Sequence, residues 1–324
     1  MTTSLHQPRL KLYDLHPPLH DIRAEVIHGL SQPQKVMSPK LLYDKRGAEL
    51  FDEICELDEY YLTRTEIAIL QTYASEIAAL IGNGALIEFG SGSSQKIRIL
   101  LDAMPNLATY VGLDISKQHL QESCSRLAAD YPDLQAIAIC ADYTQPLNLP
   151  YIAAIHQKHK VGFFPGSSIG NLEPDDVVQF LKNAAIFLNP NGDFLIGVDL
   201  KKDKAILEPA YDDAKGVSAA FALNLLERIN RELGADFDLN QFEYQATYNS
   251  IGRIEMNLVS CIDQVIHLGD TAISFRAGET LRTENSYKYT IHEFQELAAL
   301  AGFRTRAVWT DDQQLFSLHY LHLA

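Results

Sequence analysis

The chain has 324 residues, 47% of them hydrophobic, which is enough to bury a large core in one elaborated domain or two closely packed lobes. Its formal net charge of -15, with no local basic patch to offset it, disfavours nucleic acid and anionic membrane surfaces as partners. No apolar run approaches the roughly 18 to 20 residues of a membrane helix and no signal-peptide hydrophobic region opens the chain, so a cytoplasmic monomer acting on a small molecule is expected.

Residues 1–40, with Pro8, Pro17, Pro18, Pro33 and Pro39, read as an extended arm holding one helix near 22–30. An amphipathic helical region follows over 47–81. Strands are expected near 85–89, 110–114, 135–141, 160–164 and 193–199, alternating with helices near 94–103, 116–129 and 174–188. That alternation implies right-handed crossovers and a parallel sheet. Beyond Asp199 the pattern changes to a helix over 213–233 and strand-like segments near 243–249, 252–264, 271–276 and 280–290. A helix over 291–301 and strands near 304–310 and 314–321 end the chain and are expected to complete the first sheet as an antiparallel pair. Cys55, Cys124, Cys140 and Cys261 have no paired spacing and read as reduced, buried thiols; the 11 histidines, His156 and His159 included, lack metal-ligand spacing, so no metal is expected.

The stretch from Ala85 to Lys96 carries the most chemistry. An apolar strand ends in Glu88, and Gly90 and Gly92 follow two residues apart before an amphipathic helix, a pattern that lets backbone approach a bound nucleoside. A dinucleotide fold would place a third glycine at position 95 to pack the helix over a pyrophosphate, and this chain has Gln95. S-adenosylmethionine, which carries no phosphate, is therefore the expected cofactor. The next strands agree: Asp114 ends one, 24 residues beyond Gly90, where a carboxylate accepts from both ribose hydroxyls, and Asp142 with Tyr143 ends the next, suited to an adenine amino group and ring face. Each acid alone reads equally as a helix cap or turn residue; the series of three on successive strands does not. The fold class is α/β, a class I (Rossmann-like) methyltransferase sheet with an inserted α+β substrate lobe. Its expected parts are a helical arm over 1–80, the cofactor domain over 81–199, the lobe over 200–290 and the completing segment over 291–324.

Three further segments resemble the histidine-specific methyltransferase family: Leu41 to Glu53 with Tyr60 to Glu66, Phe163 to Leu172, and Leu281 to Tyr289. The resemblance covers about residues 20–321. It implies methylation of the amine of a free amino acid, with S-adenosylmethionine held by Gly90, Lys96, Asp114, Asp142 and Tyr143. It further implies that the amino acid is held by Tyr61, Gly166, Asn171, Tyr211, Glu284 and Ser286, with Tyr43, Phe51 and Met256 close to it. Ser94 stands where class I methyltransferases in general have the third glycine of the turn.

Methyl transfer to an amine is an in-line displacement that needs a neutral, positioned nucleophile and little else, so no histidine or carboxylate is required as an obligate base. Tyr43, or a water beside it, can relay the departing proton, and aromatic walls at Tyr43, Phe51 and Tyr61 suit a growing quaternary ammonium. Asn171 and Tyr211 are neutral donors for a substrate carboxylate; on local sequence they read equally as a turn residue before Pro174 and a neighbour of a helix-capping Asp212. Glu284 and Ser286, two apart on a strand, share a face, with Thr283, Asn285 and Tyr287 on the other, and can accept from and donate to the two nitrogens of an imidazole. Tryptophan or tyrosine is the rival substrate and a non-catalytic binding protein the rival class; an indole would leave half of the Glu284 and Ser286 pair unmatched.

Overall fold

The structure, a computed structural model, describes residues 10–15, 19–92, 94–146, 152–156 and 158–324; the prolines at 8, 17 and 18 lie outside them. Its strands are β1 (Leu10–Asp14), β2 (Lys35–Val36), β3 (Ala85–Phe89), β4 (Thr109–Asp114), β5 (Gln135–Cys140), β6 (Lys160–Phe164), β7 (Asp193–Asp199), β8 (Phe242–Tyr248), β9 (Arg253–Ser260), β10 (Gln264–Leu268), β11 (Thr271–Phe275), β12 (Thr280–Tyr287), β13 (Phe303–Thr310) and β14 (Phe316–Leu323). The α-helices are α1 (Leu19–Leu30), α2 (Lys45–Cys55), α3 (Tyr61–Ile81), α4 (Gln95–Ala103), α5 (Lys117–Asp130), α6 (Ala153–His156), α7 (Pro174–Leu188), α8 (Lys204–Tyr211), α9 (Val217–Leu233) and α10 (Ile291–Leu300).

Eight strands form one sheet in the order β1-β5-β4-β3-β6-β7-β14-β13. Every pairing from β1 to β7 is parallel, and β14 is inserted antiparallel between β7 and β13. Central strands such as β3 are buried along their whole length, so alternate residues feed two cores. Leu86, Tyr110 and Leu195 pack toward α3, α4 and α5, while Ile87, Val111 and Ile196 pack toward α7 and α10. Burial on both faces is why these segments read as near-continuous apolar runs.

A second sheet, β2-β12-β9-β8, lies over the carboxyl ends of the first, with β12, β9 and β8 antiparallel. The two sheets meet where the turn after β6 touches β12: a Cβ added to Gly170 would come within 2.6 Å of the Tyr287 carbonyl oxygen, so only glycine permits that approach.

Several local expectations change. The arm contributes β1, a parallel edge strand beside β5, and β2, which pairs with β12. The helix expected over 213–233 is α9, which starts at Val217; an unexpected helix, α8, precedes it across Asp212–Gly216, and the capping carboxylate is Asp213, which accepts from the amides of Val217 (3.0 Å) and Ser218 (2.7 Å). Asp212 instead closes α8. The strand expected near 271–276 is β11, and it forms a hairpin with β10, for which no separate strand was expected. No disulfide joins the cysteines; Cys124 and Cys140 are buried, Cys55 is half-buried, and Cys261, expected to be buried, is exposed just after β9. Among the described residues no helix is long and apolar enough to cross a membrane.

Candidate active site

The sheet order departs in opposite directions from β3, toward β4 on one side and β6 on the other, which opens a crevice at the carboxyl end of β3. Gly90 occupies that point with φ +77, a left-handed conformation, and its amide bonds to the Leu113 carbonyl at 2.8 Å. Ser94, where the third glycine would stand, also has positive φ (62), and its hydroxyl bonds that of Ser123, which in turn donates to the Gly92 carbonyl at 3.0 Å. A polar side-chain tether thus accompanies the conformation that glycine would adopt more readily. Asp114 ends β4 and its Oδ1 accepts from the Ser116 amide at 2.8 Å; burial pushes its carboxyl up to about 6. The Tyr143 ring meets the edges of Phe89, Phe164 and Phe180, and a Cβ at Gly90 would lie 3.4 Å from its hydroxyl.

Two expected cofactor contacts are engaged within the chain. Asp142 accepts from the Thr144 hydroxyl (2.5 Å) and from Lys40 (3.1 Å) on its two oxygens. Lys96 pairs with the buried Glu66 at 2.6 Å, and the same Glu66 oxygen accepts from the Gly166 amide at 2.8 Å. Glu88 does not face the crevice: it is buried in the core, where the Tyr110 hydroxyl donates to it at 2.6 Å and burial lifts its carboxyl to about 7.

Beside the crevice lies a pocket of about 610 Å³, part of it open solvent, between the two sheets. Its walls are Tyr43, Phe51, Tyr60, Phe221 and Tyr244, and Tyr43 meets Phe51 and Phe221 edge-on at 5.6 and 5.4 Å between ring centroids. Its polar end gathers Asn171, Tyr211, Glu284 and Ser286 with Met256, which pairs with Glu284 across β9 and β12. Asn171 donates to Glu284 Oε1 at 2.7 Å, and the Tyr211 and Ser286 hydroxyls are 2.9 Å apart. Gly166 also lines the pocket. Thr283 does too, on the same side as Glu284, because a bulge between Arg282 and Glu284 breaks the simple alternation. Tyr61 is not among the lining residues; its hydroxyl donates to Asp199 at 2.8 Å behind the pocket, and its neighbour Tyr60 takes the wall position.

Burial raises Glu284 to about 8, with Lys288 opposing the rise. A carboxyl whose folded value lies above its ordinary 4.5 adds stability below pH 4.5 and loses it as pH climbs through about 8. Glu284→Gln is therefore expected to gain thermal stability over the wild type between pH 5 and pH 9, by on the order of 1 kcal/mol or more without ligand. Melting curves at the two pH values check it; an unchanged difference would place the charged carboxylate in a well-solvated setting.

Tyr60, Phe221, Tyr244 and Lys288 were not singled out from sequence. Lys288 could have been found: it continues the 284, 286 series by two. Its ammonium is buried and bonds Asp199 (2.7 Å), Tyr211 (2.5 Å) and Ser286 (2.8 Å).

A parallel sheet closed by one reversed strand, a glycine turn at its switch point, an acid at the end of the next strand and a lid of antiparallel strands define a class I methyltransferase. A family model described as histidine-specific methyltransferase, SAM-dependent, matches residues 22–323. Histidine N-alpha-methyltransferase of Mycolicibacterium smegmatis is 40% identical over 92% of this chain and 93% of its own length. Ergothioneine biosynthesis protein 1 of Neurospora crassa is 31% identical over 87% of this chain, which spans 32% of that longer protein. Among solved structures, mitomycin 7-O-methyltransferase aligns with 95% of this chain and 69% of its own at 14% identity and a TM-score of 0.47. The chain belongs to the S-adenosylmethionine-dependent, histidine-specific methyltransferase family.

Proposed function

We propose that the protein methylates the α-amino group of free L-histidine through to the trimethylated betaine, hercynine, as a step of ergothioneine biosynthesis, working as a cytoplasmic monomer with no nucleic-acid partner. The observation that carries this reading is the polar end of the pocket, where a carboxyl at Glu284 and a hydroxyl at Ser286 lie on one strand under aromatic walls. One accepts and the other donates, which matches the two nitrogens of a neutral imidazole.

S-adenosylmethionine supplies an activated methyl group when bound. The crevice fits it: a carboxylate at Asp114 for vicinal hydroxyls, an aromatic edge at Tyr143, and a turn at Gly90 that offers backbone rather than a cation. Lys96 and Asp142, tied to Glu66 and Lys40, shape the walls of that site. On the substrate side, segment 200–290 acts as the amino-acid lobe, and Asn171 and Tyr211 offer donors to the α-carboxylate. Tyr43, kept a neutral phenol by burial, is not itself a base; its oxygen accepts the amine proton only as its own hydroxyl proton passes on to water. The rings of Tyr43, Phe51, Tyr60 and Phe221 then stabilise each more substituted ammonium by about 0.5 to 2 kcal/mol. Closure of the pocket excludes water, and positioning supplies most of the catalysis.

Incubation with labelled cofactor and each free amino acid, read by mass spectrometry, tests the assignment. Trimethylated histidine is expected, and preferential labelling of tryptophan or tyrosine would overturn it. Asp114→Ala is expected to weaken cofactor binding by about tenfold or more, since charge-assisted hydrogen bonds are lost. Calorimetric titration decides it, and unchanged affinity in a folded variant would remove Asp114 from the site.

A further inference from the structure

On the reading above the pocket must take in an α-carboxylate, yet the only charged side chain among its described lining residues is Glu284, which can add only negative charge. A counter-charge lies one layer back, against Tyr211 and Ser286. Lys288 has no exposed side-chain surface, and its contacts to Asp199, Tyr211 and Ser286 use all three of its N–H donors. An ammonium only donates, so the Tyr211 oxygen accepts from it and the Tyr211 proton is turned elsewhere. Asp199 does not cancel the charge, because its other oxygen pairs with Lys202 at 2.6 Å, itself 6% exposed. Burial, partly offset by Asp199, brings Lys202 down only to about 8, and Lys288 stays above its ordinary range because Asp199 and Tyr211 outweigh its burial. The directly bonded set of two lysines and one aspartate therefore carries a net positive charge behind the pocket at neutral pH, with Asp311 acting on Lys202 without a direct ion pair.

We infer that Lys288 is the counter-cation of the substrate carboxylate, acting at one remove through the Tyr211 hydroxyl that it polarises. A surplus buried cation is costly unless an anion arrives to offset it, and here the anion is the ligand. The arrangement also keeps the cation off the pocket wall, so no ammonium competes with the amine for the methyl group. Lys288 is thus a positioning residue, and its role rests on the proposal that the carboxylate is recognised beside Tyr211.

The test is a cycle between enzyme and substrate: kcat/KM for histidine and for histidinamide, at saturating cofactor, in the wild type, Lys288→Met and Tyr211→Phe. The wild type is expected to prefer histidine, and each variant to lose about tenfold or more of that preference, chiefly through KM for histidine. Comparing the two ratios cancels the amide's own reactivity. Cofactor affinity by calorimetry should stay within about twofold, which a general structural defect would not allow. A folded Lys288→Met that keeps the full preference overturns the role of Lys288 and leaves carboxylate recognition standing. A wild type without any preference overturns that underlying reading instead. Should Lys288→Met fail to fold, Tyr211→Phe decides, since an undiminished preference there removes the proposed path from cation to carboxylate.

Discussion

Glu284→Ala is expected to lower kcat/KM for histidine by about a hundredfold or more while cofactor affinity stays nearly unchanged. Glu284 sits at the polar end of the pocket, accepts from Asn171 at 2.7 Å and pairs across strands with Met256. Its removal deletes the acceptor for a ring N–H and frees Asn171 to rotate. Losing a hydrogen bond to a charged or partly charged group costs about 1.5 to 3 kcal/mol, roughly ten- to a hundredfold, and misplacement of the amine adds to that. The vacated volume opens toward Met256, so an apolar ring becomes less disfavoured and tryptophan turnover should rise from a low level. Competition between the two amino acids, followed by mass spectrometry, is the measurement. If the variant keeps the wild-type preference, the carboxyl at 284 does not read the side chain.

What could be read from the sequence was what local patterns decide. Strands β3 to β7 are buried apolar runs closed by acids or by turn residues, and their bounds differ from expectation by a residue at most. The edge strand β1 could not be found this way: five alternating residues become a strand only because β5 offers an unpaired edge. The same holds for β2, two residues long, which exists through its pairing with β12. At the pocket, the period-2 rule chose Glu284 and Ser286, but a bulge invisible to that rule also turned Thr283 inward. Between Tyr60 and Tyr61 nothing local distinguishes wall from support. That choice is made by Asp199 and Lys202, which are distant in sequence and hold the Tyr61 hydroxyl away from the pocket.

The buried pair of Glu66 and Lys96 should be the costliest to break. Glu66 is fully buried on α3, and one of its oxygens holds both the Lys96 ammonium at 2.6 Å and the Gly166 amide at 2.8 Å. It thereby joins the helix after the cofactor turn to the loop that forms the pocket floor. Burial alone would pull Lys96 down, yet Glu66 outweighs it and leaves the ammonium above its ordinary range. Glu66→Ala strands that cation and leaves the Gly166 amide without its acceptor, so a loss of about 3 to 5 kcal/mol of stability is expected. Adding Lys96→Met removes the stranded charge and should restore much of the loss, because a buried ion pair is weak evidence of net stabilisation when both partners are exchanged for apolar groups. Activity should not return with stability, since Gly166 would remain untethered beside the substrate. Urea denaturation of the two variants, with histidine turnover measured in parallel, separates the outcomes. A single variant that loses less than about 1 kcal/mol would mean that solvent reaches Lys96 and that the pair does not hold the two halves of the site together.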